Sequence, residues 1–257
     1  MRFGRLEAGG RASFARIIDD TAALRWTAAP WAGGAETEER IELREAALLP
    51  PVTPSKIVCV GRNYRAHAAE LGHDVPAEPL LFLKPPSALL AHGGVVEWPA
   101  ESERVDYEGE IAVVIGKPLR HAGEAEAAGA IFGLTCADDV TARDLQRKDV
   151  QFTRGKGFDT FCPCGPFIET EPPPLDALAL RTRVDGELRQ EGVSSAMIWS
   201  IPTLLAFISR VMRLEPGDLI LTGTPEGVAP LGGGSRVEVE IEGVGTLAHS
   251  ITKRRVS

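Results

Sequence analysis

The stretch DYEGEIAVVIG, from Asp106 to Gly116, decides the fold assignment because two glutamates directly precede an apolar, strand-like run. Its apolar segment, residues 111–115, is short, rich in β-branched residues and followed by glycine and proline, which predicts a buried strand. Side chains alternate along a strand, so Glu108 and Glu110 point to the same side. The two acids either form a solvated strand end or hold a divalent cation, since convergent carboxylates near a core need an offsetting charge.

The composition is that of an ordinary globular protein. Its 257 residues, 44% of them hydrophobic, suffice for one large domain or for a domain with a small appendage. Acids outnumber bases 36 to 28, giving a formal net charge of −8, so a nucleic-acid or membrane-surface role is not expected. No apolar stretch reaches the roughly 18 residues of a membrane span, and the N-terminus lacks the apolar part of a signal peptide, which predicts a cytoplasmic protein.

The pattern along the chain predicts a small N-terminal subdomain, residues 1–50, and a catalytic domain, residues 51–257. The first fifty residues are weakly patterned, with a possible hairpin and a polar, glycine-rich segment. Strand-like runs then become dense. We expect strands at KIVCV, PLLFLK, GVVEWP, YEGEIAVVIG and IFGLTCADDV, and a hairpin around Asp185-Gly186. Many strands with few helices and no strict β-α alternation predict an α+β fold that is mostly mixed β-sheet.

Short helices are expected between these strands. Asn63 can cap the first, YRAHAAEL, which Gly72 would close, and Thr141 can cap the helix ARDLQRKD. The others are GEAEAAGA and IPTLLAFISRVMRL. Pro202 is acceptable in the first turn of the last helix, because the N–H that proline lacks has no partner there.

A third acid follows the strand IFGLTCADDV. Asp138 and Asp139 end this run just before a predicted helix cap, where side chains gather on a rigid element. Two glutamates and one aspartate leave ligand positions open for water and substrate, the oxygen-only arrangement expected for Mg²⁺ or Mn²⁺. Taken alone, Asp139 could equally be a turn residue or a helix cap.

A histidine, a glutamate and a lysine complete the candidate catalytic set. His67 and Glu70 are three residues apart on the predicted helix, so they face one side and can touch. Such a pair is often only surface decoration, but a carboxylate that orients a histidine makes it a competent general base toward water. Lys156 lies in RGKGFD, which lacks the spacing of a phosphate loop. Near a metal it could bind a substrate carboxylate or an enolate oxygen.

Seven motifs, in order, resemble those of the fumarylacetoacetate hydrolase family. They are VGRNYRAHAAE, FLKPPSAL, DYEGEIAVVIG, DVTARDLQ, GKGFDTFCPCGP, VDGELRQ and PGDLILTGTPEGV. The match runs from about Ser55 to the C-terminus, and ordered motifs are far more specific together than any one alone. The short chain is most similar to the acylpyruvase and 2-hydroxyhepta-2,4-diene-1,7-dioate isomerase branch.

The resemblance implies a β-roll or barrel particular to this family, usually in a homodimer. It also implies a bound Mg²⁺ or Mn²⁺. The metal ligands would be Glu108, Glu110 and Asp139. His67 and Glu70 would form a water-activating dyad on a lid, and Lys156 would contact the developing enolate. The positions that would contact substrate are Arg62, Tyr64, Arg143, Gln146 and Thr224.

Two positions depart from the family pattern. Asp138 stands where the family commonly has asparagine, which leaves the liganding aspartate ambiguous and adds charge nearby. Phe167 stands where tryptophan commonly follows the GP dipeptide, and here we expect only a packing difference.

The chemistry implied is enolate chemistry on a 2-oxo acid, which can chelate a metal through its carboxylate and keto oxygens. The metal would stabilise the enolate. The favoured reaction is hydrolysis of an acylpyruvate, in which His67 with Glu70 deprotonates water and pyruvate enolate leaves. The alternatives are isomerisation of 2-hydroxyhepta-2,4-diene-1,7-dioate, decarboxylation of oxaloacetate or 5-carboxymethyl-2-oxo-hex-3-ene-1,7-dioate in aromatic catabolism, and binding of a 2-oxo acid without turnover.

Overall fold

The computed structural model describes residues 1–70 and 76–253. The strands are β1 (Arg2–Ala8), β2 (Arg11–Ile17), β3 (Ala22–Trp26), β4 (Glu36–Glu42), β5 (Ala47–Leu49), β6 (Ile57–Gly61), β7 (Leu80–Lys84), β8 (Leu89–Leu90), β9 (Val95–Val96), β10 (Val105–Asp106), β11 (Gly109–Ile115), β12 (Ile131–Asp138), β13 (Thr141–Ala142), β14 (Cys162–Glu169), β15 (Ala179–Val184), β16 (Glu187–Val193), β17 (Leu219–Leu221), β18 (Arg236–Ile241) and β19 (Gly245–Ile251). The α-helices are α1 (Arg65–Glu70), α2 (Glu124–Ala128), α3 (Arg143–Asp149), α4 (Thr153–Lys156) and α5 (Ile201–Val211). The predicted α+β class, mostly mixed β-sheet with few helices, is confirmed.

Twelve strands form one large sheet. Its hydrogen-bonded order is β4-β3-β2-β1-β14-β12-β11-β17-β6-β7, with β5 beside β1 and β8 beside β14. Most neighbours are antiparallel, but β17 pairs with β6 in parallel, so the sheet is mixed. Among the described residues the order ends at β4 and β7, so the sheet is open and the closed barrel that was one form of the prediction is not found.

Strand β11 is buried on both faces, which explains its continuous apolar run. Ile111, Val113 and Ile115 belong to the core that the large sheet shares with a second sheet of order β16-β15-β18-β19-β9. Ala112 and Val114 point the other way, into a separate cluster. This strand is therefore a rigid support for the acids at its start.

The N-terminal strands have a small core of their own but also extend the large sheet. Leu6, Ala15, Ala23 and Ile41 pack together between β1 and β4. Strand β1 nevertheless hydrogen-bonds to β14. Residues 1–50 as a separate subdomain thus remain a prediction.

Phe167 has the packing role expected of it. Its ring lies against Gly4, where an added Cβ would come within 2.8 Å of the aromatic Cδ1 atom. A larger ring at position 167 would need more space beside β1.

Local predictions beyond the strands have mixed outcomes. The hairpin is confirmed, because Asp185 and Gly186 join β15 to β16 with φ values of 53° and 84°, as a type I′ turn requires. Helix α5 begins after Ser200, whose hydroxyl accepts from the Thr203 N–H, and has proline in its first turn as expected. The predicted strand GVVEWP is reduced to the two residues of β9.

The two predicted helix caps are wrong. Thr141 lies in β13 and its hydroxyl donates to the Asp139 carbonyl at 2.8 Å, while Ala142 precedes α3 without a side-chain cap. Asn63 accepts from the Trp199 N–H and donates to the Trp199 and Thr222 carbonyls. Thr141 is extended because it pairs with Asp106 of β10, and its hydroxyl bonds locally to the Asp139 carbonyl. The Asn63 amide instead bonds to distant backbone groups at Trp199 and Thr222.

Gly72, expected to end the first helix, lies outside the described residues. No helix within the described ranges is both long enough and apolar enough to cross a membrane.

Strand ends converge at one edge of the large sheet. Gly109, at the start of β11, lies opposite Asp138, at the end of β12. Strand β17 runs antiparallel to β11 and parallel to β6, so the ends of β17 and β6 reach the same edge. The segments around residues 62, 108, 139 and 223 therefore meet although they are far apart in the chain.

Candidate active site

Three buried carboxylates form the centre of the site. The ligand oxygens of Glu108, Glu110 and Asp139 all lie within 4.8 Å of one another, and these residues are 4%, 2% and 1% exposed. Glu108 and Glu110 converge as the strand alternation predicts. The structure places Asp139, not Asp138, in the cluster.

Glu108 is held by two cations. Its Oε2 accepts from Lys156 Nζ at 2.7 Å, and its Oε1 accepts from the Arg143 guanidinium. Burial alone would favour the neutral acid, but Lys156 and Arg143 hold the pKa of Glu108 well below its usual range. Glu108 is therefore ionised throughout the physiological range.

Asp139 lies between two lysines. Lys156 Nζ is 2.5 Å from Oδ2, and Lys84 Nζ is 2.5 Å from Oδ1 and 3.1 Å from the Val140 carbonyl oxygen. Burial opposes the charge on Lys156, but Asp139 and Glu108 raise its pKa above the usual lysine range. Both ammonium groups are thus fixed beside the acid cluster.

Lys84 is a residue that the sequence analysis missed. It shares a face of β7 with Leu80 and Phe82, which line the cavity. The signal was available, because a lysine that ends the apolar run LLFLK is costly to bury without a carboxylate partner. The identity of that partner, 55 residues away, was not readable.

Glu110 differs from its two neighbours, because no cation is within ion-pairing distance of it in the described part of the chain. Its Oε2 accepts from the Gly223 N–H, at 2.6 Å. Burial, and then the charges of Asp139 and Glu108, raise the pKa of Glu110 well above its usual value. A cation bound among the three acids would relieve this cost.

The acid cluster fits a divalent metal on its own chemistry. It offers only carboxylate oxygens, the ligands that Mg²⁺ and Mn²⁺ prefer, and leaves room for further ligands. Glu110 supplies a buried negative charge that lacks a cationic partner among the described residues. Glu108 and Asp139 would be shared between the metal and the lysines.

A cavity of about 380 Å³ opens onto these acids and is lined by nine of the eleven predicted site residues. Those nine are Arg62, His67, Glu108, Glu110, Asp139, Arg143, Gln146, Lys156 and Thr224. Leu80, Phe82, Phe152 and Arg147 complete much of the wall. The Phe82 and Phe152 rings meet edge to face at 5.5 Å, so the wall is partly apolar.

His67 and Glu70 form the expected pair. His67 is 4% exposed, and its Nδ1 lies 3.4 Å from Glu70 Oε2. Glu70 is exposed and also accepts from the Gly227 N–H, at 3.1 Å and 3.2 Å from its two oxygens. Because Nδ1 faces the carboxylate, Nε2 is left for proton transfer in the cavity.

Arg143 and Thr224 line the cavity, but each guanidinium nitrogen and the threonine hydroxyl already donate a hydrogen bond. Arg143 donates to Asp106, Gln146 and Glu108. The Thr224 hydroxyl donates to the Gly109 carbonyl at 2.9 Å. These two residues hold the acid cluster in place, and contact with substrate remains a prediction for them.

Tyr64 is the predicted substrate residue that the structure sets apart. It is 2% exposed, pairs through its backbone with Met197, and does not line the cavity. Its hydroxyl has no hydrogen-bond partner among the described residues, and burial raises its pKa. The phenol therefore packs behind the site.

Gly109 is required between the two glutamates because its surroundings leave no room for a side chain. An added Cβ would overlap Thr182 Oγ1 and meet Val239 Cγ2 at 3.2 Å. The Gly109 N–H donates to Gln190 Oε1 at 3.0 Å, and Gln190 Nε2 donates to the Thr224 hydroxyl at 2.7 Å. Gln190, another residue that the sequence analysis missed, thus fixes this peptide from behind.

We expect Gly109→Ala to destabilise the protein by about 1–3 kcal/mol, the usual cost of overpacking. The double variant Gly109→Ala/Thr182→Ala should recover part of this loss, because it removes the nearest overlapping atom. Urea denaturation of the four proteins in the cycle measures the coupling. Additive effects would mean that Thr182 is not the obstacle.

Comparison with known proteins identifies the chain. The sequence profile described as fumarylacetoacetate (FAA) hydrolase, C-terminal, matches residues 56–252. The chain belongs to the fumarylacetoacetate hydrolase family. A second profile, Rv2993c-like, N-terminal, matches residues 1–51. Members of this family are enzymes and typically depend on a divalent metal, so this chain is an enzyme of that family.

Three relatives illustrate the range of the family. Protein Rv2993c of Mycobacterium tuberculosis is 41% identical over 99% of both chains. Oxaloacetate tautomerase YisK of Bacillus subtilis is 43% identical over 81% of this chain and 74% of its own length. The structure of 2-hydroxyhepta-2,4-diene-1,7-dioate isomerase from Mycobacterium marinum superposes with a TM-score of 0.90, at 40% identity over 99% of both chains.

Proposed function

We propose that this protein is a divalent-metal-dependent enzyme that forms and reprotonates the enolate of a 2-oxo diacid, as a keto–enol tautomerase or isomerase. One observation carries the proposal: the three acids, Lys156 and His67, whose Nδ1 contacts Glu70, all line one cavity of about 380 Å³. The names of the relatives YisK and the M. marinum isomerase support it, because both describe a proton shift in a 2-oxo or 2-hydroxy diacid.

The candidate metal is Mg²⁺ or Mn²⁺, held by Glu108, Glu110 and Asp139. When bound, it supplies a Lewis acid that polarises the substrate keto oxygen and acidifies the neighbouring C–H bond.

His67 is the proposed base. Its Nε2 removes the proton beside the keto carbon and returns a proton to another position, while Glu70 holds Nδ1–H and stabilises the imidazolium in between. The ring is 4% exposed, which limits competition by bulk water. Proton transfer by a positioned side chain is worth about 10²- to 10⁴-fold in rate.

Lys156 is the proposed electrostatic partner of the enolate. Its ammonium is fixed by Glu108 and Asp139 and lies 4.9 Å from the Phe82 ring centroid, on the cavity wall. A preorganised cation of this kind stabilises developing negative charge without reorganising. Arg62 and Arg147 line the same cavity, and a guanidinium group suits a second substrate carboxylate.

Hydrolysis of an acylpyruvate is the second candidate. The same His67–Glu70 pair could direct its base toward water, and hydroxide would then attack the distal carbonyl and release pyruvate enolate. This was the reaction favoured from the sequence. A homodimer and a place in aromatic catabolism also stay predictions.

The deciding experiment follows ultraviolet absorbance of the oxaloacetate enol, acetylpyruvate and 2-hydroxyhepta-2,4-diene-1,7-dioate, each with Mg²⁺, with Mn²⁺ and with EDTA, and identifies products by mass. Metal-dependent spectral change without mass change supports the tautomerase or isomerase. Release of pyruvate and acetate from acetylpyruvate supports the hydrolase instead. Loss of CO₂ from oxaloacetate makes the enzyme a decarboxylase, and no metal-dependent turnover of any substrate contradicts the proposal.

A further inference from the structure

Asp138 and His249 form a buried pair directly behind the acid cluster. Both side chains are 0% exposed, and His249 Nε2 lies 2.7 Å from Asp138 Oδ2. Asp138 ends β12 in the large sheet, whereas His249 lies on β19 in the second sheet. Since a carboxylate only accepts hydrogen bonds, His249 donates Nε2–H to it.

The other oxygen of Asp138 holds the backbone of Glu108. The Glu108 N–H donates to Asp138 Oδ1 at 2.6 Å, and the Glu108 carbonyl accepts from the Asp139 N–H at 2.8 Å. Asp138 and the next residue, Asp139, thus bind the N–H and the carbonyl of Glu108, respectively. Glu108 precedes β11, so these two bonds replace the ladder of a regular strand at this point.

We propose that Asp138 and His249 are positioning residues that fix Glu108 against Asp139 and so set the spacing of two metal ligands. The inference rests on the proposed metal site. Asp138 links the Glu108 backbone to β19 through its hydrogen bond with His249, and that bond prevents rotation of the Asp138 carboxylate. Groups that orient metal ligands typically contribute about 10- to 100-fold in metal affinity.

Substitutions at Asp138 separate positioning from mere burial of a charge. Asp138→Leu removes the acceptor and leaves the Glu108 N–H without its partner, so we expect the Kd for Mn²⁺ to rise about 10- to 100-fold. Asp138→Asn keeps an oxygen for the Glu108 N–H and offers an amide N–H to His249 Nε2. It should restore Mn²⁺ affinity to within about 3-fold of wild type.

His249→Phe leaves Asp138 Oδ2 without its donor but retains the acceptor for Glu108. We expect an intermediate loss, about 3- to 10-fold in Mn²⁺ affinity. Asp218→Asn is the matched stability control, because Asp218 is also a fully buried aspartate that accepts backbone N–H groups, from Ser55, Lys56 and Glu215. It supports the opposite end of the β11–β17 pair, so it should lower the melting temperature and leave the Kd for Mn²⁺ unchanged.

The measurement is a titration of the full-length protein with Mn²⁺ alone, in which electron paramagnetic resonance reports the free ion, together with the melting temperature of each variant. Weakened binding in Asp138→Leu with recovery in Asp138→Asn supports the proposal. Unchanged affinity in folded Asp138→Leu overturns positioning but leaves the proposed function intact. Absence of Mn²⁺ binding in the wild type overturns the metal site itself, and with it both proposals.

Discussion

Glu110→Gln is expected to abolish metal binding and to reduce metal-dependent turnover by about 10³-fold or more. Glutamine has the same shape and keeps an oxygen for the Gly223 N–H, so the change removes the charge with little effect on packing. Glu110 is the acid without a cationic partner among the described residues, so its charge is the one most available to a metal. Lewis-acid stabilisation is worth several kcal/mol, which corresponds to this loss of rate.

The same substitution should stabilise the metal-free protein at neutral pH. Burial and the neighbouring acids raise the pKa of Glu110 in the folded state, so the folded wild type binds more protons than the unfolded chain. The contribution of Glu110 to the free energy of unfolding is therefore fully present below the pKa of this group in the unfolded chain. It is lost as the pH rises through the higher pKa of the folded state. Glutamine cannot ionise, so this pH dependence should disappear.

Mn²⁺ titration, turnover and melting temperature with EDTA from pH 5 to 8 test both parts of this prediction. Glu187→Gln, at an exposed strand position paired with Arg189, is the control and should leave all three measurements unchanged. Wild-type Mn²⁺ affinity in Glu110→Gln would show that the metal does not require this acid.

His67→Ala should lower kcat by about 10²- to 10⁴-fold while the Kd for Mn²⁺ stays near its wild-type value. The histidine lines the cavity and pairs with Glu70, but it is not one of the three acids, so metal binding and proton transfer should separate. Glu70→Gln should have a smaller effect, because glutamine can still accept from the Gly227 N–H but does not stabilise an imidazolium by charge.

Steady-state kinetics on the substrate identified in the ultraviolet assay measure this effect, with added imidazole as a rescue of the alanine variant. His121→Ala, at an exposed position, is the control and should retain full activity. A kcat for His67→Ala within about 3-fold of wild type would exclude the histidine as the base, since positioned bases contribute far more.

Much of the site followed from local sequence patterns. Alternation along one strand predicted that Glu108 and Glu110 converge, and the i,i+3 spacing predicted the contact of His67 with Glu70. Both predictions depend on neighbours in the chain, whose geometry is set by regular backbone structure. The predicted order of strands and helices held for the same reason.

The errors and omissions share one cause, which is competition from distant partners. Thr141 and Asn63 have the chemistry of helix caps, but Thr141 is extended by pairing with Asp106 of β10, and the Asn63 amide bonds to the distant Thr222 carbonyl. Lys84 forms an ion pair with Asp139, 55 residues away in the chain, and His249 hydrogen-bonds to Asp138, 111 residues away. No local pattern reports such pairs.

The sequence by itself determined the α+β class, the family, the acids, and the histidine–glutamate pair, because periodicity and ordered motifs encode them locally. Only the tertiary structure decided that Asp139 and not Asp138 joins Glu108 and Glu110, that Glu110 is the acid left without a cation among the described residues, and that two lysines flank Asp139. The physical reason is that the ends of β6, β11, β12 and β17 meet at one sheet edge. Burial there makes the pairing of each charge, rather than its presence, the property that governs the site.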